Sequence, residues 1–244
     1  MSAEKNEKTI TILHLYSKDM NIYGDCGNVL TLKKRLEWYG YTPNIIEYNQ
    51  GDKFPDSVDI VVGGGGQDSG QNKIQEDLLK IGQKLIDLAN NGAPMLVICG
   101  LYQLFGKFFQ TADGKIIKGI GLFDAETYGK SERLIGNIIT HSEQFGDIIG
   151  YENHSGQTFL GHQVSALGSV RLGAGNNLED ISEGVRYRNV IGSYLHGSLL
   201  PKNPAIADFL IKQAAINRYG KFEGKKIDDT ICELARKEAL KRPR

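Results

Sequence analysis

The stretch Pro94–Gly106, PMLVICGLYQLFG, decides how the chain is read. Met95 to Ile98 are uniformly apolar and suit a strand buried on both faces. Cys99 and Gly100 follow, and a helix is expected after them, so a strand turns sharply into a helix at a cysteine. Residues at such a turn are held outward at the carboxyl end of a parallel sheet, where ligands bind. Most buried cysteines are inert core residues. The helix dipole behind Cys99 and the unobstructed N–H of Gly100 mark this one as a candidate nucleophile.

Working outward, Thr9–Tyr16 (TITILHLY) reads as a strand, followed by the polar loop SKDMNIYGDCGN and a helix carrying Val29, Leu32, Leu36 and Trp38 up to Gly40. Asn44–Tyr48 is a second strand, and SVDIVVGGGG a third that ends in four glycines. Apolar residues at Ile74, Leu78, Ile81, Leu85 and Leu88 recur at helical spacing over about 71–90. This alternation predicts an α/β fold, a mostly parallel twisted sheet with helices on both faces. From about 116 to 196, short apolar runs broken by Gly and Asn predict further strands, partly antiparallel. Two polar helices, about 203–219 and 228–241, close the chain. Without repeat or linker, a single domain over 1–244 is expected, with an ordered core at about 9–241.

Bulk chemistry narrows the function. Lys+Arg and Asp+Glu balance at 29 each, which gives no footprint for nucleic acid. No apolar run reaches the roughly 18 residues of a membrane span, and the polar start MSAEKNEKTI does not read as a signal peptide. Cys26, Cys99 and Cys232 are widely spaced and form no C-x-x-C pair, so neither a disulfide framework nor a metal site is expected, and a cytoplasmic location is. VVGGGGQDSG does not fit the dinucleotide fingerprint. Gly129-Lys130-Ser131 would need glycine at 124 for a P-loop and finds Asp124. The glycines at 63–66 can instead let backbone approach a ligand, as the second wall of an oxyanion hole beside Cys99.

A thiolate that cleaves an amide needs a proton donor for the leaving nitrogen. Of five histidines, His14 lies in the first strand and reads as core, while His141 and His162 sit in polar, solvated contexts. His154 lies in the turn-rich GYENHSGQT, and His196 ends NVIGSYLHG beside a glycine. His196 projects toward the rim of Cys99 if both strands share one sheet, which makes it the better base. His154 stays open.

Taken together, ICGLYQLFG, GGGGQD, GYENHSGQT and SYLHGSLLPKN resemble the class I glutamine amidotransferases of the cobyric acid synthase type. Within that class they are most similar to the glutaminase subunits of lipid II isoglutaminyl synthases. The resemblance spans about Thr9 to Leu240, with four motifs in the family's order. It implies Cys99 as nucleophile, His196 as general acid/base, and backbone N–H groups of Gly65 and Gly100 as the oxyanion hole. It implies Gln103, Asn153 and His154 in the glutamine pocket and Arg133, in SERLIG, on the substrate carboxylate, a task suited to a planar fork. It further implies no cofactor on this chain. ATP and Mg would sit on a MurT-like, Mur-ligase-type synthetase in a heterodimer that amidates the D-glutamate α-carboxyl of lipid II, reaching lipid II only through that partner. The NIYGDCGN loop and the closing helices are candidate docking surfaces.

Two departures stand out. Leu101 occupies a site where the family usually has glycine, which predicts strain there if φ is positive. Ser198 stands where many relatives carry the glutamate that orients the histidine, so the sequence shows a dyad: either backbone holds the histidine or a partner protein supplies the carboxylate, and the partner is the favoured expectation. Competing readings are a corrinoid-type acceptor, a non-catalytic scaffold that stabilises a synthetase, and a stand-alone cysteine hydrolase or redox sensor.

Overall fold

The structure is a computed structural model that describes residues 8–243. The first seven residues, most of the polar start considered above, and Arg244 lie outside that range. The first half of the chain alternates as its apolar pattern requires: β1 (Thr9–Leu15), α1 (Cys26–Tyr39), β2 (Thr42–Tyr48), β3 (Ile60–Gly63), α2 (Asp68–Asn90), β4 (Met95–Ile98) and the short α3 (Gly100–Phe105). Gly40, at φ 89°, ends α1 in a left-handed cap that a side chain would resist. There follow β5 (Phe108–Gln110), β6 (Ile116–Lys118), β7 (Ala125–Ser142), β8 (Gly146–Leu160), β9 (Gly168–Leu172), β10 (Ser182–Glu183), β11 (Val185–Tyr187) and β12 (Val190–Ser193). The chain then runs through α4 (Leu199–Lys202), α5 (Pro204–Tyr219) and α6 (Thr230–Ala239).

The first sheet has the order β11-β12-β4-β3-β1-β2 and is parallel except for the β11–β12 pair. Every residue of β3, β4 and β12 is buried, which is why these strands read as unbroken apolar runs. Each large aliphatic side chain so buried contributes about 1.5–3 kcal/mol. β4 lies between β3 and β12 in register, Val97 beside Gly63 on one side and Ile98 beside Ser193 on the other. The carboxyl ends of three strands therefore converge on one rim.

The antiparallel strands mostly build a second sheet, β10-β9-β7-β5-β6 with β8 on β7, rather than extending the first. Its spine is the β7–β8 hairpin, in which buried and exposed positions largely alternate, so one face packs inward and the other meets water. GYENHSGQT lies inside β8 and is not a turn-rich loop, because pairing with β7 (Leu134 opposite His154, Ile135 opposite Asn153) overrides the weak strand propensity of Gly, Asn and Ser. The register shifts between Gly129 and Leu134, and Arg133 sits in that irregularity.

Candidate active site

Cys99 directly follows β4 with φ 49° and ψ −104°, a conformation that L-residues rarely adopt, and its C=O receives Gln103 N–H at 2.9 Å in the first turn of α3. Its own N–H donates to Ser193 O of the neighbouring strand at 2.9 Å. The strain expected at Leu101 thus falls on Cys99 itself. Leu101 has no positive φ and is fully buried, with its side chain filling the space that a Cβ on Gly63 would need.

His196 lies three residues beyond β12 and is held by its N–H to Tyr151 O at 2.8 Å. A Cβ added at Gly65 would lie 2.8 Å from His196 Cε1, 3.0 Å from Ile22 Cγ2 and 3.1 Å from Cys99 Cβ. Only glycine fits between the two, and thiol and imidazole share one crevice.

His196 Nδ1 pairs with Asp25 Oδ1 at 3.3 Å, both side chains buried. The chain thus carries its own carboxylate at the histidine, where the sequence reading looked to a partner protein. Asp25 carries no signal for this role in the sequence, because it belongs to a polar loop 171 residues away and no spacing rule links the two. Ser198, in place of a glutamate, donates its hydroxyl to Gly24 O at 2.8 Å and so pins the segment that delivers Asp25. Burial works against a charged imidazole here. The Cys99 sulfur first, and the Asp25 carboxylate with it, outweigh burial and hold the His196 pKa up to about 10. Both neighbours thus favour the protonated imidazole.

The same carboxylate changes the oxyanion assignment. Gly65 N–H donates to Asp25 Oδ2 at 2.7 Å and is committed. The next N–H of the loop, Gly66, has no acceptor among the described residues and lies 3.0 Å from where a Gly100 Cβ would be. Gly66 and Gly100, the latter opening α3 with its N–H unclaimed by the helix, are the donors free to meet an oxyanion.

A cavity of about 570 Å³ opens at Cys99 and is lined in part by Gln71, Gln103, Arg133, Asn153 and His154. All four residues assigned to glutamine by resemblance therefore reach it, in different capacities. Arg133 is exposed and donates through Nε to Asn153 Oδ1 at 2.6 Å. Gln103 is buried in a network, accepting from Gln71 Nε2 at 2.9 Å and donating to Tyr194 Oη at 3.1 Å. His154 stacks on Tyr194 with ring centroids 3.6 Å apart, and its Nδ1 bonds Gly156 O at 2.7 Å. Burial drives its pKa down to about 3, so it is a neutral wall and not the base. Glu152 turns away to hold the N–H groups of Ala174 and Gly175, at 2.9 Å each.

The other histidines stand as read: His14 is buried, His162 is exposed, and His141 pairs with Asp147 at 2.8 Å near the surface. Cys232 packs in α6 with its sulfur 3.2 Å from Pro201 O. Cys26 is the first residue of α1 and not a loop residue. Among the described residues no cluster of three or more metal-ligating side chains occurs, and no helix is long and apolar enough to cross a membrane.

The family model for a CobB/CobQ-like glutamine amidotransferase domain matches residues 11–204. The chain is 40% identical over 232 residues, covering 95% of it and 94% of the relative, to the GatD subunit of the glutamine-hydrolysing lipid II isoglutaminyl synthase of Staphylococcus aureus. The GatD subunit of Streptococcus pneumoniae is also 40% identical, over 86% of this chain and 82% of the relative. A crystal structure of a glutamine amidotransferase superposes with TM-score 0.58 at 16% identity, covering 83% of this chain and 98% of that one, which supports the fold alone.

Proposed function

The chain belongs to the CobB/CobQ-like glutamine amidotransferase family and is a glutamine amidotransferase, and from that premise we propose that Cys99, His196 and Asp25 hydrolyse L-glutamine to feed ammonia to a partner synthetase. The observation that carries this reading is the strained Cys99 beside a buried, carboxylate-backed His196.

The Cys99 thiolate adds to the side-chain carboxamide carbon, and the oxygen of the tetrahedral intermediate accepts from Gly66 and Gly100 N–H. Each such donor is worth about 3 kcal/mol in comparable sites. The His196 imidazolium, held by Asp25, gives its proton to the nitrogen as the C–N bond breaks. Ammonia leaves and a γ-glutamyl thioester remains on Cys99. The now neutral imidazole takes a proton from water, whose oxygen adds to the thioester carbon. Collapse expels the thiolate and yields glutamate. Arg133 meets the substrate's α-carboxylate at the cavity mouth.

Ammonia released to water is protonated and diluted, which favours an acceptor enzyme docked on this chain. Two relatives of near-equal length are subunits of lipid II isoglutaminyl synthases. We therefore take the partner to be a MurT-like, ATP-dependent synthetase in a heterodimer, carrying ATP and Mg, with the D-glutamate α-carboxyl of lipid II as acceptor. The test is glutamate release by the purified chain, alone and with that synthetase. The reading predicts turnover by the chain itself, abolished in Cys99→Ala and His196→Ala, and ATP-dependent amidation only with the partner. Turnover unaffected by either substitution, or none even in the complex, overturns it.

A further inference from the structure

Residues 22–24 form a single 3-10 turn just before Asp25, and Tyr23 within it adopts φ 58° and ψ 21°, a left-handed conformation that costs a bulky residue energy. The side chain shows what this conformation achieves. The Tyr23 ring meets the His196 imidazole edge-on, with centroids 4.9 Å apart and planes at 71°. Its hydroxyl accepts from Asn153 Nδ2 at 2.8 Å. Asn153 in turn accepts from Arg133 Nε at 2.6 Å through Oδ1, and from Nη2 at 3.4 Å through its backbone oxygen. Tyr23, Arg133 and Asn153 all line the cavity that opens at Cys99. An unbroken line of contacts thus runs from the guanidinium at the cavity mouth, through one amide and one phenol, to the imidazole.

Tyr23 remains 44% exposed, so its ring is placed there by these contacts and not by core packing. A half-exposed aromatic in a strained backbone, held by an edge-on imidazole and one hydrogen bond, is poor economy for stability alone.

We propose that Tyr23 is a positioning residue for glutamine hydrolysis. Its ring roofs His196 against water, and its hydroxyl, through Asn153, ties that roof to the arginine that receives the substrate carboxylate. The proposal rests on Cys99 and His196 being the reacting pair. When the carboxylate engages Arg133, Asn153 is held between two fixed partners and the Tyr23 ring is locked over the imidazole. The imidazole then keeps the orientation that Asp25 gives it through Nδ1.

Four variants test this by steady-state glutamate release: Tyr23→Phe, Tyr23→Ala, Arg133→Lys, and the Tyr23→Phe/Arg133→Lys double change. Tyr23→Phe keeps the roof and loses the tie. It should raise KM for L-glutamine about five-fold with kcat within about two-fold, the scale of one hydrogen bond. Tyr23→Ala loses both and should lower kcat at least about ten-fold, so that Phe rescues kcat relative to Ala. In the double variant the KM effect of Tyr23→Phe should shrink toward none, because the tie already lacks its arginine.

Parallel melting curves report folding, and Tyr23→Phe, which retains every ring contact, keeps the test decisive if Tyr23→Ala unfolds. The proposal is overturned if Tyr23→Phe matches the parent chain in both constants. It is equally overturned if its effects add fully to those of Arg133→Lys. If the parent chain with intact Cys99 releases no glutamate, either alone or in complex with the synthetase, the assignment of the reacting pair has failed, and the role of Tyr23 falls with it.

Discussion

Replacing Asp25 by asparagine probes the feature that most shapes this site. One carboxylate serves two donors: Oδ1 takes His196 Nδ1–H at 3.3 Å and Oδ2 takes Gly65 N–H at 2.7 Å. A carboxamide of the same shape has one acceptor and one NH₂. Whichever way it is turned, its NH₂ confronts either the imidazolium or the Gly65 amide. The substitution loses a charge-assisted hydrogen bond, worth about 1.5–3 kcal/mol, or strands a buried donor at about 1–3 kcal/mol. It also removes a charge that stabilises the imidazolium. If about 3 kcal/mol of that loss appears in the transition state, kcat falls roughly a hundred-fold. KM should change little, because Asp25 does not line the substrate cavity. The assay is glutamate release at saturating glutamine, with melting curves to show that the variant folds. A folded Asp25→Asn chain whose kcat stays within about three-fold of the parent would refute the reasoning, and with it the claim that the histidine is oriented from within this chain.

Further expectations concern the crevice and its ionisation. Gly65→Ala places a methyl 2.8 Å from His196 Cε1 and 3.1 Å from Cys99 Cβ, so glutamine turnover should fall at least about a hundred-fold; activity close to the parent's would mean that the two groups are not so confined. Because the folded His196 pKa lies at about 10 against 6.5 unperturbed, its stabilising contribution is complete below about pH 6.5 and is lost as pH rises through 10. Turnover should fall over the same upper limb, and a decline centred near pH 6.5 would contradict the imidazolium. Burial pushes the Glu183 carboxyl up to about 7 from 4.5, although Ser193 Oγ and Tyr194 N–H both donate to it at 2.9 Å. The folded chain therefore holds a proton that the unfolded chain releases, and stability should drop by about 3 kcal/mol between pH 4.5 and 7 and stay lower above. Glu183→Gln should flatten that dependence in melting curves, and an unchanged slope would place its origin elsewhere.

The sequence carried the parts of this molecule that local pattern encodes. The unbroken apolar run at Met95–Ile98 announced a central buried strand, and the Gly40 stop and the spacing from Ile74 to Leu88 marked helices that the structure contains. Cys99 and His196 stand out in the sequence as candidates because each follows a strand, and the structure puts both strands in one sheet. Asp25 does not, since its role comes from a loop folded across the rim and fixed by Ser198, a contact that no periodicity predicts. The proposal of Gly66 in place of Gly65 as oxyanion donor rests on that one carboxylate, which takes the Gly65 N–H. His154 reads as a loop residue in the sequence because its neighbours have turn-forming composition, whereas pairing with β7 fixes the backbone, stacking on Tyr194 holds the ring, and burial keeps it neutral. The separation into two sheets was likewise hidden, because it depends on which long hairpin closes on itself and not on how strongly each segment favours strand.

Covalent labelling with a diazoketone analogue of L-glutamine, followed by peptide mass spectrometry, tests the central claim most directly. The analogue should alkylate Cys99 with loss of dinitrogen, reach one equivalent per chain, be blocked by excess L-glutamine, and leave Cys26 and Cys232 unmodified. Labelling absent from Cys99, or spread over the three cysteines without protection by glutamine, would contradict the account.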